Sequence, residues 1–355
     1  MQYKQLGNTN TLIPAIGMGT MGIGGYFSRD DTNDNQAIKV LKQGIELGMS
    51  FIDTAEAYGK GHSEELVGIA TKGQRDKVVI ATKVSPEHLH YDNVIASAEN
   101  SLKRLRTDYI DLYQIHWPNP TIPVSETLEA MIKLQADGKI RAIGVSNFSV
   151  PELEEALLSV GNIASVQVEY NLFDRTAEQD LIPFCTQNKI TVLAYTPLCS
   201  GKITYDKSKQ DDLLRIAHKY NTNVSQLALK WLTENNNIVA IPMSRNASHL
   251  LSNSASTDLE LNTADYDFIT TTFLTEILEI PTGRIKVDTK GLDGFVPSAN
   301  DLAKLIAKGV PIKPIRVVKI DDPVFEYELF EGKLRYWAWQ IAYNGNVAVR
   351  ALIRE

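Results

Sequence analysis

Asp53 and Tyr58 stand five residues apart in FIDTAEAYGKGHSEELVG, Phe51 to Gly68, so a carboxylate and a phenol are presented together just past a short apolar run. Lys83 ends the next apolar run, VVIATK, and His116 ends the one after it, YIDLYQIH. A free tyrosine titrates at about 10, so a phenol that protonates a developing alkoxide near neutral pH needs a neighbouring cation that favours the phenolate. Lys83 is the cation this pattern supplies. Taken singly, each residue has an ordinary role: the acid caps a turn, the tyrosine packs, and the histidine is a hydrogen-bonded core residue. What points to chemistry is the arrival of four different groups at successive run ends.

Placing such groups on one edge requires parallel strands whose carboxyl ends face the same way. MSFIDTA, VVIATKV, DYIDLYQIHW, IRAIGVSN, SVQVEYN, TVLAYTP and IVAIPM read as strands two to eight. The first strand lies within LIPAIGMGTMGIGG, whose glycines suit strand and loop better than helix. Helical patterns separate the strands. DNQAIKVLKQGIELG is the first crossover helix, with Asp34 as its N-cap and Gly48 at its end. Near-continuous apolar strands alternating with helices define an α/β fold, and eight of them favour closure into a (β/α)₈ TIM barrel. The chain has 355 residues, whereas such a barrel takes about 250, so a second domain is expected.

Hydrophobic residues make up 43% and charged residues 22%, a globular balance. The net charge of −7 disfavours a nucleic-acid or anionic-membrane surface. No apolar segment approaches the roughly 20 residues of a membrane span. Cys185 and Cys199 have no CxxC or metal-ligand spacing, and MQYKQLGNTN has no apolar signal region. A reducing cytoplasm and no metal are therefore expected.

Several blocks, in order, carry a resemblance to a known family: GMGTMGIGG, DTAEAYGKGHSEELVG, ATKV, LYQIHWPNP, GKIRAIGVSNFS, VQVEYN, AYTPL and IPMSRNASHLLSN. Residues 1–275 resemble the aldo-keto reductases. The resemblance implies that Tyr58 is the proton donor, that Lys83 lowers its pKa, that Asp53 holds Lys83, and that His116 orients the substrate carbonyl. It also implies reduction of a small aldehyde or ketone with a nicotinamide cofactor. No GxGxxG follows any strand, which agrees with a nicotinamide held outside a Rossmann fold.

The same resemblance implies the cofactor contacts. Gly19, Thr20 and Met21 lie along the cofactor with Asp53, while Ser146, Asn147 and Gln167 hold the carboxamide and Tyr195 stacks on the ring. Thr196, Pro197, Leu198, Gly201 and Lys202 form the pyrophosphate loop, and Ser244, Arg245 and Asn253 take the adenosine phosphate. Met243 and His249 replace a usual lysine and arginine, but one guanidinium, Arg245, can bind a 2′-phosphate bidentately, which favours NADPH over NADH. Met21 stands where many relatives carry tryptophan; with Tyr58, His116 and Trp117 it walls a small substrate pocket.

After Thr275 the barrel alternation stops, and residues 276–355 are nearly balanced in charge beside an acidic barrel. SANDLAKLIAKG and KLRYWAWQIAYNG read as helices, and IKPIRVVKI, FEYELFEG and VAVRALI as strands, with EILEIPTGRIKVDTKGLDGFVP as a connection. GVPIKPIRV followed by YELFEGKLRYWAWQIAYNG resembles the ParB and sulfiredoxin superfamily, which makes residues 276–355 a small α+β module. Lys333 stands where sulfiredoxins place their catalytic cysteine and Leu334 where ParB proteins have an arginine, so neither chemistry is expected. Gly332, Lys333 and Arg335 would form a phosphate or nucleotide site at a helix start. A different reading makes the barrel a nicotinamide-sensing module with the C-terminal domain as a nucleotide-dependent effector or kinase; the intact Asp-Tyr-Lys-His set favours catalysis.

Overall fold

The computed structural model describes all residues except 205–206, 274–276, 289–295, 311, 346 and 355, and leaves undescribed the side chains of 202, 204, 207–209 and 354. Contacts divide the chain into two units, Met1–Pro118 with Val124–Phe273, and Asn119–Pro123 with Leu274–Glu355.

The first unit opens with an antiparallel hairpin, β1 (Tyr3–Gln5) and β2 (Leu12–Pro14). Eight strands follow: β3 (Met18–Gly19), β4 (Phe51–Asp53), β5 (Val79–Val84), β6 (Ile110–Ile115), β7 (Ile140–Ser146), β8 (Ser165–Glu169), β9 (Thr191–Tyr195) and β10 (Ile238–Ala240). Each pairs in parallel with the next. Their apolar runs are continuous because both faces are covered; every residue of β6 and of β8 is buried. The ring closes through main-chain bonds: Gly17 N donates to Ala240 O at 2.8 Å, Ala240 N to Ala15 O at 3.0 Å, and Gly19 N to Pro242 O at 3.1 Å.

Helices cover the outside: α1 (Asp34–Glu46), α2 (His62–Ala70), α3 (Tyr91–Leu105), α4 (Val124–Ala136), α5 (Val150–Val160), α6 (Leu181–Gln187), α7 (Lys207–Lys219) and α8 (Val224–Glu234), with α9 (Ala247–Ala255) and α10 (Thr263–Thr272) after the last strand. Among the described residues, no helix is long and apolar enough to cross a membrane. The hairpin, absent from the sequence reading, packs Leu6 and Ile13 against Phe51, Leu112, Leu193 and Val239, and Gly7 N donates to Thr191 Oγ1 at 2.7 Å. Phe51 and Thr191 open β4 and β9, so the hairpin plugs the amino end of the barrel and the carboxyl end is left for chemistry. Asp34 is not the N-cap of α1. It is the first helical residue, and its carboxylate lies 2.9 Å from His62 Nε2, a longer-range partner that turns it away from the helix N–H groups.

In the second unit, five strands form a mixed sheet: β11 (Ile277–Pro281), β12 (Ile285–Lys286), β13 (Ile315–Lys319), β14 (Tyr327–Glu331) and β15 (Ala348–Arg354), in the order β11-β15-β13-β14-β12. Two helices, α11 (Ala299–Ala307) and α12 (Lys333–Ala342), accompany it. Ser298 and Asp301 make a capping box that fixes the start of α11. Ile280, Ile285, Ile315, Val317, Tyr336, Val349 and Ala351 are its core. The segment read as a connection therefore supplies β11 and β12, and Ile280 and Ile285 within it are core residues.

Candidate active site

Asp53 is the last residue of β4 and Lys83 the fifth of β5, so both emerge at the carboxyl end of the barrel. Lys83 Nζ donates to Asp53 Oδ1 at 2.6 Å, to Thr54 O at 2.8 Å and to Tyr58 OH at 3.3 Å. Lys83 is fully buried and Asp53 is 2% exposed. Burial acts to lower the Lys83 pKa, but Asp53 and Tyr58 outweigh it, and the amine is held above its ordinary value. The ammonium therefore persists in an apolar setting.

Burial pushes the Tyr58 phenol upward, and the opposing charge of Lys83 does not cancel that push. The sequence reading had Lys83 lowering Tyr58; the lysine does act in that direction, but desolvation of a phenolate beside Asp53 is the larger effect. His116, just past β6, presents its ring edge-on to Tyr58 with centroids 5.6 Å apart. Burial and the charge of Lys83 bring its pKa down to about 3, so the imidazole is neutral. A neutral ring can donate one N–H to a carbonyl oxygen without competing with the phenol as the acid.

Asp53 is fixed from every side. Thr20 donates to its backbone oxygen through both N and Oγ1, each at 3.0 Å, and Ser63 and Thr54 continue this chain of hydroxyls. Gln114 Nε2 and Gln167 Nε2 donate to its Oδ2 at 3.2 and 2.8 Å. Thr20 was expected along the cofactor, yet it has no exposed surface and its hydroxyl serves Asp53 instead. Gly19 is where the barrel closes: a Cβ there would lie 2.8 Å from Ile241 O, so its need for glycine comes from the strand crossing. Gln114, Thr54 and Ser63 were absent from the sequence reading. The one signal for Gln114 was a polar residue inside the apolar run of LYQIHW.

On the other side of the mouth, Ser146 ends β7 and Tyr195 ends β9. Asn147, held in the left-handed region at φ 63°, donates through Nδ2 to His116 O at 3.2 Å and to Ser146 Oγ at 3.0 Å, and its Oδ1 accepts from Tyr195 OH at 3.0 Å. Amide groups, a hydroxyl and a flat phenol ring thus converge on three neighbouring strand ends, a donor and acceptor set that fits a carboxamide-bearing ring. Beyond β9, Thr196, Cys199, Ser200 and Gly201 all adopt positive φ, and Gly201 N donates to Leu198 O at 2.9 Å. This coiled backbone carries Thr196, Pro197, Leu198 and Gly201; the side chain of Lys202 lies outside the described residues.

Arg245 is exposed; its Nη2 donates to Gly22 O and its guanidinium lies 6.0 Å from the Tyr26 ring, so it spans to the loop after β3. Ser244 Oγ bonds the backbone of Asn246, the residue that caps α9, and Asn253 is buried within that helix. Met21 is 43% exposed and Trp117 46%. In the second unit, Arg335 Nη1 donates to the carbonyls of Lys313 and Pro314 at 3.0 and 2.6 Å, and Nη2 lies 3.5 Å from Glu331. The guanidinium ties α12 to the start of β13, beside Gly332 and Lys333 at the start of α12, and Lys333 Nζ lies 3.8 Å from Asp288.

A parallel eight-stranded barrel with a buried Asp-Lys pair against a tyrosine at its carboxyl end matches known proteins. The aldo/keto reductase family profile covers residues 15–272. The methylglyoxal reductase YeaE of Escherichia coli K12 is 38% identical, over 75% of this chain and 93% of its own length. A thermostable aldo-keto reductase solved with the inhibitor epalrestat superposes with TM-score 0.74 at 43% identity, covering 76% of this chain and 99% of that one. The aldo/keto reductase of Klebsiella pneumoniae, solved with NADP and acetate, gives TM-score 0.72 at 36% identity, covering 77% of this chain and 96% of that one. The chain belongs to the aldo/keto reductase family and is an NAD(P)H-dependent oxidoreductase.

Proposed function

We propose that this protein reduces a small aldehyde or ketone, of the α-oxoaldehyde kind represented by methylglyoxal, with NADPH as the reductant and Tyr58 as the acid. The observation that carries the reading is Lys83 Nζ lying between Asp53 Oδ1 at 2.6 Å and Tyr58 OH at 3.3 Å. When bound, NADPH supplies the hydride to the carbonyl carbon. The carbonyl oxygen takes the phenolic proton of Tyr58, so one C=O becomes an alcohol with a new C–H and a new O–H. Lys83 stabilises the phenolate left behind, and Asp53 keeps Lys83 charged and aimed. His116, neutral, directs an N–H at the carbonyl oxygen. Asn147, Ser146 and Gln167 would hold the carboxamide, and the Tyr195 ring, fixed by its bond to Asn147, would lie against the nicotinamide.

The preference for NADPH is supported by the exposed Arg245 beside the start of α9, where a 2′-phosphate would meet a guanidinium. A NADP complex of the Klebsiella pneumoniae relative supports the same choice. Met21 and Trp117, both partly exposed, suit a small pocket with apolar walls. Cys185 and Cys199 are buried thiols in no disulfide, which accords with a cytoplasmic setting. For residues 276–355 we infer a ParB/sulfiredoxin-like module, supported by the placement of IKPIRVVKI on β13 and of YELFEGKLRYWAWQIA on β14 and α12; no chemistry is assigned to it.

Replacing Tyr58 by Phe tests the central assignment. The expected result is a fall of about 10² to 10⁴ in the single-turnover rate of methylglyoxal reduction, with the fold and NADPH affinity retained. A Tyr58→Phe protein that reduces the aldehyde at the wild-type rate would refute the role.

A further inference from the structure

Asp53 has two carboxylate oxygens and only one of them faces Lys83. Oδ1 accepts from Lys83 Nζ at 2.6 Å, while Oδ2 accepts from two amides, Gln114 at 3.2 Å and Gln167 at 2.8 Å. The two glutamines are not equivalent. Gln167 stands at the cofactor edge, where its backbone oxygen accepts from Asn147 N and Ser146 Oγ. Gln114 is buried, lies next to Lys83 in the β5–β6 register, and has its amide committed to Asp53.

We propose that Gln114 is a positioning residue for the reductase reaction: its amide anchors Asp53 Oδ2 from beneath, so that Oδ1 stays on Lys83 and Lys83 stays on Tyr58. This rests on the proposed reading of the Asp53, Tyr58, Lys83 and His116 site.

Two further features single out this glutamine. Its Oε1 is fully buried and has no hydrogen-bond partner among the described residues, as is also true of Ser165 Oγ. A buried acceptor without a partner costs stability. The residue is explained by what its other end does, which is to donate to Asp53. The barrel also makes room for it. Gln114, Gly144 and Ser165 are register partners across β6, β7 and β8, and a Cβ at Gly144 would fall 3.0 Å from Gln114 Cγ and 2.6 Å from Ser165 Oγ. The glycine leaves the space into which the glutamine side chain turns on its way to Asp53.

Gln114→Leu separates this role from a structural one. It removes the donor together with the unpartnered acceptor, and Asp53 Oδ2 keeps Gln167 Nε2 as a partner, so the melting temperature should change little. The single-turnover rate should nevertheless fall by about 10- to 100-fold through misplacement of Lys83, with KM for NADPH and for methylglyoxal unchanged. Because the effect runs through Lys83 to the phenol, the same substitution in a Tyr58→Phe background should cost little more. If Gln114→Leu fails to fold, Gln114→Met, unbranched and of similar length, carries the test with the same readouts.

A wild-type rate in the folded variant overturns the proposal, and so does an undiminished further loss in the Tyr58→Phe background. A Tyr58→Phe enzyme that is itself fully active overturns the reading on which the proposal rests, and that outcome is read without reference to position 114.

Discussion

Of the buried lysines, Lys83 and Lys4 lie at opposite ends of the barrel, and they are held in opposite ways. Lys83, at the carboxyl end, sits on a carboxylate and a phenol, and its pKa is raised although burial acts to lower it. Lys4, in the hairpin at the amino end, donates to three main-chain oxygens, Thr233 at 2.6 Å, Asn235 at 2.7 Å and Ile238 at 2.6 Å. Burial brings Lys4 down to about 7, with Glu234 opposing. Its three N–H donors meet three carbonyls that end α8 and open β10, a cap on a helix terminus. A buried ammonium is thus structural when backbone dipoles take all its donors. It becomes chemical when one donor is left for a group that can exchange a proton.

The largest expected effect is that of Lys83→Met. It should lower the single-turnover rate by about 10² to 10⁴, since the phenolate loses the cation at 3.3 Å. Lys4→Met should do the reverse: a stability loss of about 1–3 kcal/mol from carbonyls left without a donor, read from denaturant unfolding, with the rate of the folded enzyme unchanged. A slowed reaction in Lys4→Met would erase the contrast between the two ends.

A third buried group sharpens it. His62 faces Glu65 through Nδ1 at 2.7 Å and both Asp34 and Asp31 through Nε2, at 2.9 and 3.0 Å. Burial acts to lower its pKa, but Glu65 and Asp34 outweigh this and the net shift is upward. A folded-state pKa above the unfolded value gives stability that is complete below about 6.5 and is lost as pH rises through the raised value. Wild type should therefore exceed His62→Asn in stability most at acid pH, with the gap closing towards alkaline pH. A gap that widens with pH would mean that the ring is held neutral. This is the smallest of the three effects.

What could be read from the sequence follows from what was local. Asp53, Lys83 and His116 end apolar runs, and a polar residue at the end of a buried strand stands out by pattern alone. Gln114 does not, because it lies inside its run and only the register with Lys83 shows which way it turns. The family resemblance places Thr20 along the cofactor, but its burial against Asp53 depends on β3 lying beside β4, a pairing across 33 residues of sequence. The strands β11 and β12 were hidden for a similar reason. Pro281 and Gly283 interrupt the apolar pattern of EILEIPTGRIKV, and the partner of β11 is β15, at the far end of the chain. Tyr3–Gln5 escaped because Lys4 and Gln5 look like surface, whereas Lys4 is buried with its charge on the backbone.

The closeness of Gly144 to Gln114 and Ser165 reaches beyond this one site. A side chain added at 144 crowds three neighbours at once, Ser165, Gln114 and Leu112, on two different strands. Mutagenesis that varies position 144 alone is therefore expected to favour glycine, while enlargement at 144 needs compensating changes at 114 or 165. Varied together, the three positions form a single block in which volume can be traded between strands. Redesign of the barrel floor beneath Asp53 has to move this block as one.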